Sequence, residues 1–158
     1  MSKIDKKDLA LLAALQRDGR ASWTALAERV QLSATACQRR VRLLEDAGII
    51  RGYRANVAYD ALGYGVEAFI TVRVERQSPD VAKQFRDAVE RLDEVLSCHL
   101  LSGDTDFLLR VVAADLARFG RFIQRDLLTL PGIKDASSLI VLDTVKAAST
   151  INQMATLG

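Results

Sequence analysis

The segment SATACQRRVRLLEDAG, Ser33 to Gly48, sets three arginines and a glutamine among apolar residues at helical spacing. A helix returns to one side about every 3.6 residues, so Thr35, Gln38, Arg39 and Arg42 share a face opposite Cys37, Val41 and Leu44. The apolar face is expected to anchor in a core. The other carries chemistry suited to duplex DNA: a guanidinium can take guanine O6 and N7 together, and a glutamine amide can pair with adenine. Ser33 opens the helix, while Arg40, Arg51 and Arg54 suit phosphate contacts, which hold register without reading sequence. A merely solvated helix face would carry similar residues, so the surrounding elements must separate the two readings.

Those elements agree with DNA binding. Asp5 predicts a capped first helix with Leu9, Leu12 and Leu15 as its stripe, Leu11 beside them, and a stop at Asp18-Gly19. Ser22 caps a short second helix carrying Leu26 and Val30, which runs out at Gln31-Leu32, and Ser33 caps the third, which stops at Gly48. Two helices joined by a few residues form a helix-turn-helix pattern. Ile49 to Val57, with Gly52 at its turn and basic residues on both sides, reads as a hairpin wing. Residues 1–60 hold eleven Lys and Arg against seven acids, a net +4, whereas residues 61–158 carry −2. The first module is therefore expected to meet a polyanion, and the second to do something else.

From Val66 the apolar period falls to two: Val66, Ala68, Ile70, Val72 and Val74 alternate with polar residues and predict a half-buried strand. Ser78-Pro79 starts a helix with Val81, Phe85, Val89 and Leu92 inward. Strands are expected over about Val95–Leu101 and Asp106–Ala113, joined by Ser102-Gly103-Asp104-Thr105. Asp115 caps a helix with Leu116, Phe119, Ile123 and Leu127 inward, and Pro131-Gly132 precedes a last strand near Ser137–Val145. The order β-α-β-β-α-β is that of a ferredoxin-like split unit. The fold class is α+β: a winged helix-turn-helix domain over residues 1–57, a connection over 58–65, a ferredoxin-like domain over 66–146 and a tail over 147–158. Phe107-Leu108-Leu109 and Leu139–Leu142 are apolar on both alternating faces, and two helices cover one face of a four-stranded sheet. A second copy is the simplest cover for the other face, so a homodimer is expected.

Other classes find little support. Apolar runs fall short of the roughly 20 residues of a membrane span, and the N-terminus lacks a signal-peptide pattern, so a cytoplasmic protein without membrane contact is expected. Cys37 and Cys98 lie far apart with no C-x-x-C spacing and read as small core residues. His99, the single histidine, has no second ligand at metal spacing and reads as structural. Trp23 and the three tyrosines are scattered and form no base-stacking platform. There is no Ser-His-Asp arrangement and no glycine-rich nucleotide loop, so neither catalysis nor a metal or other cofactor is expected.

Leu32-Ser33-x-Thr35-x-Cys37-x-x-Arg40-Val41-x-x-Leu44-Glu45-x-x-Gly48-x-Ile50-x-x-Tyr53 resembles the helix-turn-helix signature of the leucine-responsive regulator/AsnC (Lrp/AsnC) transcription factors. Asp5, Leu11, Leu12, Leu15, Gln16, Asp18, Gly19 and Arg20 match its first-helix pattern, and Cys98 to Phe107 is similar to its effector-domain motif. The chain departs from the pattern at Ala34 and Ala36, where family members often carry proline. The resemblance implies a sequence-specific regulator that binds double-stranded DNA, is dimeric at least and often octameric, and has a RAM/ACT-like second domain for effector binding and oligomerisation. That domain would take a free amino acid at an interface between dimers. The effector positions it implies are Ser102, Gly103, Asp104 and Asp106, with Leu100, Leu116, Leu139, Ile140 and Val141 nearby. The turn suits such a task, because Gly103 permits close backbone approach, amides can hold a carboxylate and an Asp can hold an ammonium group. A Gly-Asp turn also joins strands with no ligand at all. Siroheme decarboxylases are similar in architecture, which leaves an enzymatic alternative beside a ligand-sensing oligomer without DNA recognition.

Overall fold

The structure, a computed structural model, describes residues 4–75 and 79–146. They fall into two compact units, the first reaching Asn56 and the second spanning Val57–Val145.

Three helices build the first unit: α1 (Lys6–Arg17), α2 (Trp23–Val30) and α3 (Ala34–Asp46). Each starts where a side chain satisfies the open amides of a first turn. Asp5 accepts from Lys7 N and Asp8 N while Asp8 returns a carboxylate to Asp5 N, a full capping box. Ser22 Oγ accepts from Ala25 N, and Ser33 Oγ from Ala36 N. Leu11, Leu26, Cys37 and Val41 pack into the core, where a fully buried leucine contributes about 2 kcal/mol. On α1 the buried set is Leu11, Leu12 and Ala14, with Leu9 and Leu15 half-buried, so the apolar stripe is rotated from the one expected.

The α2–α3 turn is made without glycine. Gln31 takes φ 54°, and Leu32 N donates to Ala27 O at 3.1 Å. Lys7 Nζ donates to Val30 O at 2.6 Å, binding α1 to the end of α2. Past α3, Gly48 adopts φ 68° and lets Ile49 N and Ile50 N both donate to Leu44 O. The hairpin wing expected over Ile49–Val57 does not form: residues 51–58 carry no strand and are exposed. Among the described residues no strand lies beside them to complete a ladder.

The second unit is a four-stranded antiparallel sheet in the order β2-β3-β1-β4. Its strands are β1 (Val66–Val74), β2 (Val95–Leu100), β3 (Phe107–Ala113) and β4 (Ile133–Ile140), with α4 (Pro79–Val89) and α5 (Leu116–Arg121) between them. The alternating residues of β1 and β3 bury Ala68, Ile70, Val72, Phe107, Leu109 and Val111 against Phe85, Phe119, Phe122 and Leu127. This places the helices on one face. β4 starts earlier and ends sooner than expected, although Val141 N still donates to Glu67 O at 2.9 Å. α5 passes into a π-helical turn, Phe122–Leu127, which the regular apolar spacing there does not announce. Leu116, expected inward, is 62% exposed because it is the first residue after the Asp115 cap, ahead of the buried Phe119. Residues 58–65 contain a short helical turn, Asp60–Leu62, and Gly65 N donates to Ala114 O. Ser78 of the expected helix start and the tail 147–158 lie outside the described residues.

Candidate nucleic-acid interface and effector positions

The two faces of α3 separate as their chemistry requires. Cys37, Val41 and Leu44 are buried, while Thr35, Gln38, Arg39 and Arg42 are exposed along the opposite side. Ser33 is committed to the helix start. Arg51 and Arg54 stand exposed on the segment beyond α3.

Arg40 departs from its expected role. One of its guanidinium nitrogens donates to Asp5 Oδ2 at 2.8 Å and to Asp8 Oδ1 at 2.7 Å, so it braces α3 against the capped start of α1 rather than offering a phosphate contact. The helical wheel explains this: Arg40 stands beside buried Val41 and three residues from buried Cys37, at the border between the two faces. The Asp8 backbone amide, and then Arg40, hold the Asp5 carboxyl below its ordinary range.

Trp23 and Tyr53, scattered along the sequence, come together in the fold. They share a groove of about 420 Å³ with Gln38 and Arg42. The sequence cue was position: Trp23 directly follows the cap of the helix that packs on α3. Tyr53 donates to Glu45 Oε1 at 2.9 Å, and its ring packs close to Gly19, 3.3 Å from where a Cβ there would stand.

The nine positions expected to hold the effector divide into two groups. Leu100, Ser102, Gly103 and Asp104 are exposed around the β2–β3 turn, with Gly103 at φ 136°. Asp106, at the foot of that turn, uses its carboxylate on the chain itself: Oδ2 accepts from Val74 N at 2.9 Å while its own N donates to Val72 O. Leu139 and Ile140 pair instead with Phe69 and Ala68, and Val141 follows them. Leu116 follows the far end of β3. Four residues of strand, about 13 Å, separate the Val72 row beside the turn from the Ala68 row. A cleft of about 640 Å³ in this unit, lined among others by Leu62, Tyr64, Arg118, Arg121 and Phe122, includes none of the nine.

The sheet face turned from the helices carries Phe69, Leu108 and Leu139 between the ion pairs Arg110–Glu67 (2.8 Å) and Arg73–Asp135 (2.7 Å). Leu139 is 60% exposed and Leu142 96%. Cys37 is buried as expected, but Cys98 is exposed, because β2 is an edge strand whose outer half lacks cover. Among the described residues, no three His, Cys, Asp or Glu side chains gather at metal-binding distance, and no helix is long and apolar enough to cross a membrane.

Residues 4–45 match the AsnC-type helix-turn-helix domain, and residues 67–151 match the Lrp/AsnC ligand binding domain. The chain is 38% identical to the leucine-responsive regulatory protein of Escherichia coli over 148 residues, 94% of this chain and 90% of that protein. A transcriptional regulator of Neisseria meningitidis, solved as its L-Met complex, superposes with a TM-score of 0.89 at 39% identity, covering 94% of this chain and 96% of that one. The feast or famine regulatory protein of M. tuberculosis, complexed with L-methionine, gives 0.83 at 31% identity over 92% of this chain and 96% of that one. With a three-helix unit presenting arginines on its outer face and an antiparallel sheet backed by helices on one side, the chain belongs to the Lrp/AsnC family of transcriptional regulators.

Proposed function

We propose that the protein is a cytoplasmic, homodimeric regulator that reads duplex DNA with α3 and changes its DNA binding or assembly when a free amino acid binds. The observation that carries this reading is the exposed face of Thr35, Gln38, Arg39 and Arg42 on a helix whose other face is fixed by Cys37, Val41 and Leu44. Gln38, Arg39 and Arg42 are assigned to base edges, and Arg51 and Arg54 to phosphates. Residues 1–57 serve as the DNA-binding domain and 66–146 as the effector and oligomerisation domain, with 58–65 between them. The dimer forms over the sheet face that carries Phe69, Leu108 and Leu139, and further association to an octamer builds on it. The protein's work is binding, without catalysis or a metal.

The separation of the effector positions supports a composite site, in which the β2–β3 turn of one copy and the β4 end of another complete a pocket. Asp104 is the acid assigned to the ligand's ammonium group; Asp106 holds the end of β1. Two structural relatives were solved with L-methionine, which supports an amino acid as effector. A thermal-shift screen of free amino acids, L-methionine included, tests the reading. At a hundredfold excess over Kd, a ligand stabilises the fold by about 2.7 kcal/mol. Asp104→Ala should abolish the shift while keeping DNA binding. A screen with no hit would contradict an amino-acid effector, and a hit unaffected by Asp104→Ala would contradict the pocket.

A further inference from the structure

We propose that Trp23 belongs to the DNA-contacting surface, its indole packing on a deoxyribose of the strand that flanks the bases facing Gln38 and Arg42. The inference rests on the reading of α3 as the DNA-reading helix and adds to it a sequence-independent apolar contact from α2.

Trp23 is the first residue of α2 and is 41% exposed. It lines one groove with Gln38 and Arg42, which stand one helical turn apart on the exposed face of α3. Leu15, half-buried, lines the same groove, so the indole continues a partly apolar surface up to the rim where the polar reading residues stand. Water is a poor environment for that much aromatic surface, and a soluble protein gains by covering it.

The lining also says what covers it. Glu45 and Asp46 close the groove toward the C-terminal end of α3 and repel phosphates, which directs a backbone across the Gln38, Arg42 and Trp23 end. A nucleotide backbone alternates anionic phosphates with the apolar C–H surface of its sugars. Arg42 and Trp23 offer the matching pair, a cation and an aromatic plate, in one groove. Duplex DNA therefore fits better than an apolar peptide, which would leave Arg42 and Gln38 without use.

Trp23 is the single tryptophan of the chain, so its fluorescence reports on this position alone. The full-length protein is titrated with a fluorescein-labelled duplex of random sequence, following label anisotropy and tryptophan emission in parallel. The emission is expected to shift to shorter wavelength with the same midpoint as the anisotropy. Trp23→Ala should weaken binding about tenfold, and Trp23→Phe much less. Since the indole neutralises no phosphate, the salt dependence of binding should keep its slope in both variants. Binding with unchanged emission and unchanged Trp23→Ala affinity would overturn the assignment while leaving the arginine face intact. A loss confined to one base sequence would overturn the sugar contact. An emission shift that follows protein concentration without DNA would assign the groove to a second copy instead. Failure to bind any duplex would overturn both this inference and the reading on which it rests.

Discussion

Tyr53 ties the chain beyond α3 back to the helix. Its ring lies 3.3 Å from where a Cβ on Gly19 would stand, and its hydroxyl donates to Glu45. Burial first, and then the hydrogen bond to Glu45 and that carboxylate's charge, push its pKa from 10.0 up to about 12. The folded protein thus holds the phenol proton more tightly than the unfolded chain. The resulting stability is complete below about pH 10 and is lost as pH rises toward about 12. Tyr53→Phe keeps the ring and removes the titration, so thermal melts should show a variant about 1 kcal/mol less stable at neutral pH but with a shallower alkaline decline. Parallel declines would exclude Tyr53 as the titrating group. At this scale the sequence showed which side of α3 each residue takes. It did not show that the border residue Arg40 meets two aspartates, because that contact joins positions more than thirty apart in the chain.

The start of α1 depends on a unit of three side chains, with Asp5 and Asp8 capping each other and Arg40 of α3 spanning both. The depressed pKa of Asp5 means that this unit's contribution is present above the ordinary aspartate range and is lost as pH falls through the lowered value. Arg40→Met should lower the melting temperature of the DNA-binding unit by a few degrees near neutrality and flatten its acid dependence; an unchanged melt would show that the brace carries no stability. In the sheet, Gly132 has φ 74°, and a Cβ there would overlap Val81 of α4. Gly132→Ala is expected to cost about 3 kcal/mol, measurable by denaturant unfolding. Caps and periodicity made nearly every element legible: Asp5, Ser22, Ser33 and Asp115 each stand where a helix begins. The wing read from the sequence does not form, and the π-helical turn is not legible in it. The first requires a ladder partner that the sequence pattern cannot supply, and the second is a hydrogen-bond shift inside an otherwise regular apolar stripe.

At the scale of the molecule, the proposed dimer answers the exposed sheet face, and the proposed composite pocket answers the spread of the expected effector positions. Alternation of apolar residues in β1 and β3 revealed the two faces, and the excess of apolar residues in Leu139–Leu142 revealed that one of them needs cover. Leu139→Asp, at an exposed position, should preserve the fold by circular dichroism while shifting the protein toward monomer in sedimentation experiments; an unchanged assembly would move the interface elsewhere. The site itself was legible only in part, because the expected effector positions lie at two places along the strands, and spacing along the chain carries no sign of which surfaces a ligand would bring together. The most direct measurement is selection of duplexes from a random pool by the wild-type protein and by an Arg39→Ala/Arg42→Ala variant. A dimer reading DNA through α3 should enrich a pseudo-palindromic motif with half-sites about one helical turn or a multiple apart, and the variant should lose that motif while retaining salt-sensitive binding. Enrichment of the same motif by both proteins, or of none by the wild type, would contradict the account.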